Sequence, residues 1–74
     1  MDETATMELH IEIDREDDGR WIAEVPELPG VLAYGTTADE AAARAEALAL
    51  RVLAERLEQG ESKAVEISIS LATV

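Results

Sequence analysis

Apolar residues occupy every second position in two stretches, one near each end of the chain. In residues 7–14 they alternate with glutamate, histidine and aspartate, and in residues 65–71 they alternate with glutamate and serine. A period of two is typical of a β-strand with one buried and one solvent-facing side. The pattern predicts a sheet whose first and last strands both contribute to the core.

A β-hairpin is predicted directly after the first stretch. Residues 15–19 read Arg-Glu-Asp-Asp-Gly, a polar turn whose glycine tolerates positive φ. Residues 20–25 form the return strand, which places Trp21, Ala23 and Val25 on one face. Pro26 and Pro29 end that strand because neither can donate a ladder hydrogen bond. Residues 31–34 then supply a short third strand.

The period changes to that of an α-helix between the third and fourth strands. Thr37 followed by Glu40 is a capping box. The helix is therefore predicted from about Ala38 to about Glu58, with Gly60 near its C-terminal cap. A stripe of mostly small residues faces the sheet: Ala41, Ala45, Leu48, Ala49 and Val52.

The element order is thus β-β-β-α-β, which predicts an α+β fold with an antiparallel sheet and one helix packed on its face. We expect a single domain over residues 7–74, after a disordered N-terminus at residues 1–6. A chain of 74 residues has a marginal core, and without cysteine it cannot be stabilised by disulfides. Oligomerisation is the remaining way to add buried surface.

Leucines on a second flank of the helix either fold over the edge of the core or bury against another subunit. The fourth strand has no proline or lysine to protect it as an edge, so it can pair with its own copy. The predicted interface of a homo-oligomer, either a dimer or a tetramer, comprises Leu50, Leu53, Leu57, Val65, Ile67 and Ile69.

The net charge of −11 is concentrated in the first half of the chain. Residues 1–40 hold 12 acids and two bases. Such a field repels phosphate, so we expect no direct contact with nucleic acid. It either attracts a basic protein or serves only to keep the protein soluble. An acidic N-terminus and the absence of a long apolar run predict a cytoplasmic protein that does not bind membranes.

No group of residues predicts an active site. His10, the only histidine, lies on the solvent side of the first strand. The carboxylates lack the spacing of a calcium loop, and the glycines are too scattered to form a phosphate loop. We therefore expect no enzymatic activity, no metal and no cofactor. The two prolines stiffen residues 26–30, which suits either a recognition loop or a sharp connection.

Three segments resemble the HicB antitoxin family when they are taken together and in order. Residues 19–25 read Gly-Arg-Trp-Ile-Ala-Glu-Val, residues 26–30 read Pro-Glu-Leu-Pro-Gly, and residues 35–41 read Gly-Thr-Thr-Ala-Asp-Glu-Ala. The resemblance covers about residues 7–60. It implies a partial ribonuclease-H-like fold, usually self-associated, that acts in a type II toxin–antitoxin system.

In that family the antitoxin binds and neutralises a HicA toxin, a small basic mRNA interferase. The resemblance therefore implies partner-binding residues on the loop and its flanking strands: Trp21, Glu24, Pro26, Glu27, Leu28, Pro29 and Tyr34. Many members add a C-terminal DNA-binding domain, whose helices this sequence does not contain, so we expect no repressor function. The alternative is a solitary homo-oligomeric domain of regulatory role without a cognate toxin.

Overall fold

The computed structural model describes residues 5–60 and 64–73. Over these residues the chain forms one four-stranded sheet, with strand order β3-β2-β1-β4, and a single helix. This is the predicted α+β fold and element order. The elements are β1 (Ala5–Arg15), β2 (Trp21–Glu24), β3 (Leu32–Gly35), α1 (Ala38–Glu58) and β4 (Val65–Thr73).

The strand bounds differ slightly from the predicted ones. β1 begins two residues earlier than expected, at Ala5, and β3 is shifted by one residue so that it includes Gly35. Residues 1–4 of the predicted disordered N-terminus lie outside the described residues. The prediction for them therefore stays a prediction.

The direction of β4 is the main departure from the predicted sheet. β1, β2 and β3 are antiparallel as expected, but β4 runs parallel to β1, with Leu9 opposite Ile69. The sheet is therefore mixed rather than wholly antiparallel. The physical reason is the connection: α1 carries the chain back along the sheet, so the strand after it runs in the same direction as β3 and β1.

The hairpin between β1 and β2 forms where its turn residues predict it. The Glu16 N–H donates to the Arg20 carbonyl at 2.7 Å, and the Gly19 N–H donates to the Glu16 carbonyl at 2.9 Å. Gly19 adopts a φ of +93°, a value that residues with a Cβ rarely adopt. The Asp-Gly turn signal is thus confirmed.

Both ends of α1 lie where their capping residues predict them. Thr37 Oγ1 accepts the Glu40 N–H at 3.0 Å, while Glu40 Oε1 accepts the N–H of Thr36 at 2.7 Å rather than that of Thr37. At the other end the Gln59 N–H donates to the Glu55 carbonyl at 2.9 Å. These bonds satisfy backbone groups that a helix end otherwise leaves unpaired.

The core lies between one side of α1 and one face of the sheet. The helix packs on β3, β2 and β1 but barely reaches β4. The buried residues are Leu9, Ile11, Ile13, Ala23, Val25, Leu28, Val31, Ala41, Ala42, Ala45, Ala49 and Leu53. The alanine stripe predicted to face the sheet does so. Within the described residues, α1 lacks a stretch apolar and long enough to cross a membrane.

The first part of β1 and most of β4 form a two-stranded ribbon beyond β2 and β3. β2 pairs only with residues 12–15 of β1, whereas β4 pairs with residues 5–13. The molecule is elongated, with extents of 50 × 21 × 17 Å. We call the two-stranded part the β1–β4 ribbon.

The close approach of α1 to β3 yields the first prediction. A Cβ added to Gly35 would lie 2.5 Å from the backbone nitrogen of Ala41, so the helix start would have to move. We expect Gly35→Ala to lower the free energy of unfolding by about 1–3 kcal/mol. Urea denaturation measures this. Ala43→Ser, which adds one atom at an exposed helical position, should change stability by no more than about 0.5 kcal/mol.

Candidate protein-binding face

The side of the sheet that points away from α1 carries a dense set of carboxylates. Side chains alternate along each strand, and paired residues of neighbouring strands share a face. The exposed acids that fall on this side by the observed register are Glu8, Glu12, Asp14, Glu24 and Glu66. We call this side the acidic face.

Two of these carboxylates are direct neighbours across strands. Glu12 of β1 lies opposite Glu24 of β2, and Glu24 lies opposite Leu32 of β3. Like charges in such positions repel each other and destabilise a sheet by about 0.2–1 kcal/mol. No salt bridge among the described residues involves Glu12 or Glu24. The protein therefore keeps an acidic pair without a salt-bridge partner at the centre of this face.

Apolar and aromatic side chains lie beside the acidic pair. Leu32 and Tyr34 of β3 are exposed on the same face, and Ile22 is half-buried between Asp14 and Tyr34. The Arg20 guanidinium lies 4.5 Å from the centroid of the Tyr34 ring, so it covers part of that ring. The face thus offers negative charge next to a small apolar platform.

Arg20 makes its ionic contact with Asp18 and not with the acidic pair. Its Nε lies 2.9 Å from Asp18 Oδ2, and the Arg20 N–H donates to the other oxygen of Asp18 at 3.0 Å. These bonds, with the backbone one foremost, lower the pKa of the Asp18 carboxyl. Arg20 is held by the turn and does not neutralise Glu12 or Glu24.

Glu27, predicted to contact a partner, is engaged within the protein. Its Oε1 accepts the backbone N–H of His10 at 2.9 Å, and its Oε2 lies 2.5 Å from His10 Nδ1. β2 ends at Glu24, so no residue of that strand lies opposite His10 to accept its N–H. The Glu27 carboxylate takes the place of the missing ladder partner and ties residues 26–30 to β1.

Leu28, also predicted to contact a partner, is part of the core. Its side chain is 3% exposed. The loop is compact because the Leu28 N–H donates to the Val25 carbonyl and the Val31 N–H donates to the Leu28 carbonyl, both at 3.0 Å. This tight turn directs Leu28 inward. The prediction that the loop presents Leu28 to solvent is wrong.

The other predicted partner-binding residues lie on different surfaces. Glu24 and Tyr34 are on the acidic face, and Pro26 and Pro29 are exposed on the loop beside it. Trp21 faces the helix side of the sheet, half-buried against the core, with the Arg15 guanidinium 5.7 Å from its ring centroid. Trp21 therefore does not share a surface with Glu24 and Tyr34.

The predicted oligomer interface is brought together only in part. Leu53 is 5% exposed and belongs to the core of a single subunit, because α1 turns it toward the sheet together with Ala49. Its assignment to a subunit interface is therefore wrong. Leu50, Leu57 and Ile67 are exposed, and Val65 and Ile69 are half-buried.

Leu71 was missing from the predicted interface, although it is the most exposed large apolar residue described, at 61%. It belongs to the same alternating run as Val65, Ile67 and Ile69 and shares their side of β4. The signal was thus present in the sequence. Because α1 barely reaches β4, this side of the strand is left largely uncovered.

The described part of the chain contains no group of three or more carboxylate or imidazole side chains placed to hold a metal ion. Two depressions among the described residues are open to solvent. One, of about 450 Å³, is lined by residues 14–18; the other, of about 290 Å³, lies between Arg20, Tyr34 and Arg44. Small-molecule sites usually enclose most of their ligand, which neither depression does.

Comparison of the chain with models of protein families, with curated proteins and with solved structures finds no match. The resemblance to HicB antitoxins therefore remains a prediction.

The contact between His10 and Glu27 yields a prediction about pH. Hydrogen bonds from His10, first from its backbone N–H, lower the pKa of the Glu27 carboxyl. The hydrogen bond and charge of Glu27 raise the pKa of the His10 imidazole. The stabilisation from Glu27 is present above the usual glutamate pKa of about 4.3 and is lost as pH falls through the lowered value. The stabilisation from His10 is present below about 6.5 and is lost as pH rises through the raised value.

Glu27→Gln should therefore destabilise the protein more at about pH 5.5 than at about pH 9. Urea denaturation of both proteins at the two pH values measures the difference. Glu58→Gln, which removes an exposed carboxylate at the end of α1, should have the same effect at both. Equal effects of Glu27→Gln at the two pH values would show that the ionic part of the contact does not stabilise the fold.

Proposed function

We propose that this protein is a non-enzymatic binding module that covers a basic protein with its acidic face. The observation that carries the proposal is the pair Glu12 and Glu24, which has no salt bridge, beside exposed Leu32. An arginine or lysine of a partner would relieve the repulsion between the two carboxylates. Its aliphatic part would lie against Leu32. The repulsion thus lowers the stability of the free protein, and binding of a basic partner would remove that repulsion.

The properties of the surface favour a protein partner over other ligands. The net charge of −11 opposes binding of nucleic acid. Two depressions that reach the face at Asp14 and at Tyr34 are open to solvent, which is unfavourable for a small molecule. Complementary charge would instead speed the encounter with a basic protein.

The resemblance to HicB antitoxins narrows the class of partner. On that basis we propose an antitoxin-like role in the cytoplasm, in which the module neutralises a basic HicA-type mRNA interferase by direct binding. The contact residues that we propose are Glu12, Glu24, Leu32 and Tyr34, bordered by Pro26 and Pro29. Glu27 ties the loop to β1, and Leu28 and Trp21 pack in or against the core.

Replacement of the acidic pair tests this proposal because stability and binding should change in opposite directions. Glu12→Gln together with Glu24→Gln should raise the free energy of unfolding by about 0.2–1 kcal/mol. The same variant should bind a small basic protein encoded beside this one at least about tenfold more weakly at low salt. Calorimetric titration and urea denaturation measure the two effects.

The matched control removes the same charge from another surface. Glu55→Gln together with Glu58→Gln changes exposed residues of α1 and should leave the affinity nearly unchanged. Equal loss of affinity in both double variants would reduce the interaction to net charge and contradict a specific face. The absence of any small basic protein that binds would contradict the antitoxin role itself.

The uncovered side of β4 favours a second candidate function, a solitary homo-oligomeric domain of regulatory role without a cognate toxin. Self-association is expected of both candidates, but in this case the double replacement of Glu12 and Glu24 should have no effect on any binding. Mass measurement in solution, with and without a basic partner, separates the two candidates.

A further inference from the structure

We propose that two copies of this chain pair through β4, antiparallel and about a twofold axis at Ile69, to form one continuous eight-stranded sheet. The proposal rests on which sheet edge is open, on the residues that the pairing would bring together, and on the distribution of charge. It does not depend on the proposed basic partner. Only the consequence for bivalent binding, given below, rests on the proposed function.

The two edges of the sheet differ in their capacity to accept another strand. β3, at one edge, has four residues, and Arg44 Nη1 already donates to its Tyr34 carbonyl at 2.9 Å. β4, at the other edge, has nine residues. It contains no proline, lysine or arginine, the residues that usually protect such an edge. Among the described strands, β4 is therefore the better template for strand addition.

The backbone groups at the free edge of β4 follow from the hydrogen bonding of β1. The His10 N–H points away from β4, since it donates to Glu27. Along a strand, the N–H and C=O groups of successive residues point to opposite edges, so those of Leu9 and Ile11 point toward β4. There they pair with the residues immediately before and after Ile69 and Leu71. The backbone groups of Ile67, Ile69 and Leu71 are thus left at the free edge.

An antiparallel pair with Ile69 opposite its own copy matches every position of the strand. Ile67 then lies opposite Leu71 of the second copy, Ser68 opposite Ser70, and Val65 opposite Thr73. Glu66, the only charged residue of β4, lies opposite Ala72 and meets no like charge. Because paired residues share a face, the apolar sides of both strands lie together on the helix side.

The distribution of charge opposes a dimer in which the two acidic faces meet. Two copies that met through their acidic faces would bring Glu8, Glu12 and Glu24 against the same residues. The strand edge instead carries one carboxylate and an apolar side on which Ile67 and Leu71 are 39% and 61% exposed. Pairing through β4 removes part of that apolar surface from water at little electrostatic cost.

A twofold axis perpendicular to the sheet keeps the two acidic faces on the same side. From strand spacing and residue rise, the two Glu12–Glu24 pairs would lie roughly 20–30 Å apart. The dimer would therefore present two equivalent sites for a basic protein, and a partner with two basic patches would bind both at once with increased avidity.

Two matched double variants test which surface associates. Ile67→Lys with Leu71→Lys places lysine opposite lysine in the proposed register and should convert the dimer to a monomer. Leu50→Lys with Leu57→Lys changes charge equally on exposed helix positions and should leave the dimer intact. Sedimentation at about 100 µM, a concentration sufficient for weak dimers, measures mass, and circular dichroism checks folding.

The proposal is overturned if the unmodified protein is a monomer at that concentration. It is also overturned if the β4 variant remains a dimer, or if only the helix variant dissociates. If the β4 variant does not fold, the cross-linking experiment below decides instead.

Cysteine cross-linking tests the register, since the natural sequence has no cysteine. In the proposed pairing Ser68 faces Ser70 of the second copy at a Cα separation of about 4.5 Å, which suits a disulfide. Ser68 and its own copy would be more than about 7 Å apart, too far for one. An oxidised mixture of Ser68→Cys and Ser70→Cys proteins should therefore cross-link, whereas either protein alone should not. Efficient cross-linking of either single variant alone would overturn the register.

Discussion

The alanine face of α1 lets the helix lie close to the sheet, and much else in the structure depends on this contact. Ala41, Ala45 and Ala49 are buried where larger residues would hold the helix farther away, and Gly35 has no Cβ that would strike the helix start. A helix packed so closely covers a narrow strip, which here is β1, β2 and β3. β4 is left outside that cover, and none of the described helices or strands lies on the far side of the sheet.

These two uncovered regions differ in charge and polarity, and each therefore suits a different kind of contact. The far side of the sheet holds carboxylates that repel one another, so it suits a partner that brings positive charge. The uncovered side of β4 is apolar and nearly free of charge, so it suits contact with a surface like itself. One narrow helix therefore leaves a chain of this size with two separate uncovered surfaces, for which we propose different partners.

Most of the fold could be predicted from short-range signals, because each element carries its own. Alternation marks β1 and β4, Asp18-Gly19 marks the hairpin, and Thr37 marks the helix start. The placement of Leu28 and Leu53 could not be predicted in the same way. Whether a leucine beside a core is buried depends on the path of a loop or on helix rotation, which sequence periodicity does not specify. The same holds for the cross-strand contact of Glu12 and Glu24, which depends on register.

The parallel pairing of β1 with β4 also determines how the protein would resist force. Ala5, where β1 begins, lies beside Val65, and Ile13 lies beside Thr73, so the start of β1 and the end of β4 are at opposite ends of one ladder. Tension applied to the chain before β1 and after β4 would pull the two strands past each other along their length. Their hydrogen bonds would bear the load together, in shear, rather than one after another as in a hairpin opened from its ends. The fold should therefore be mechanically stiff along the direction of the β1–β4 ladder.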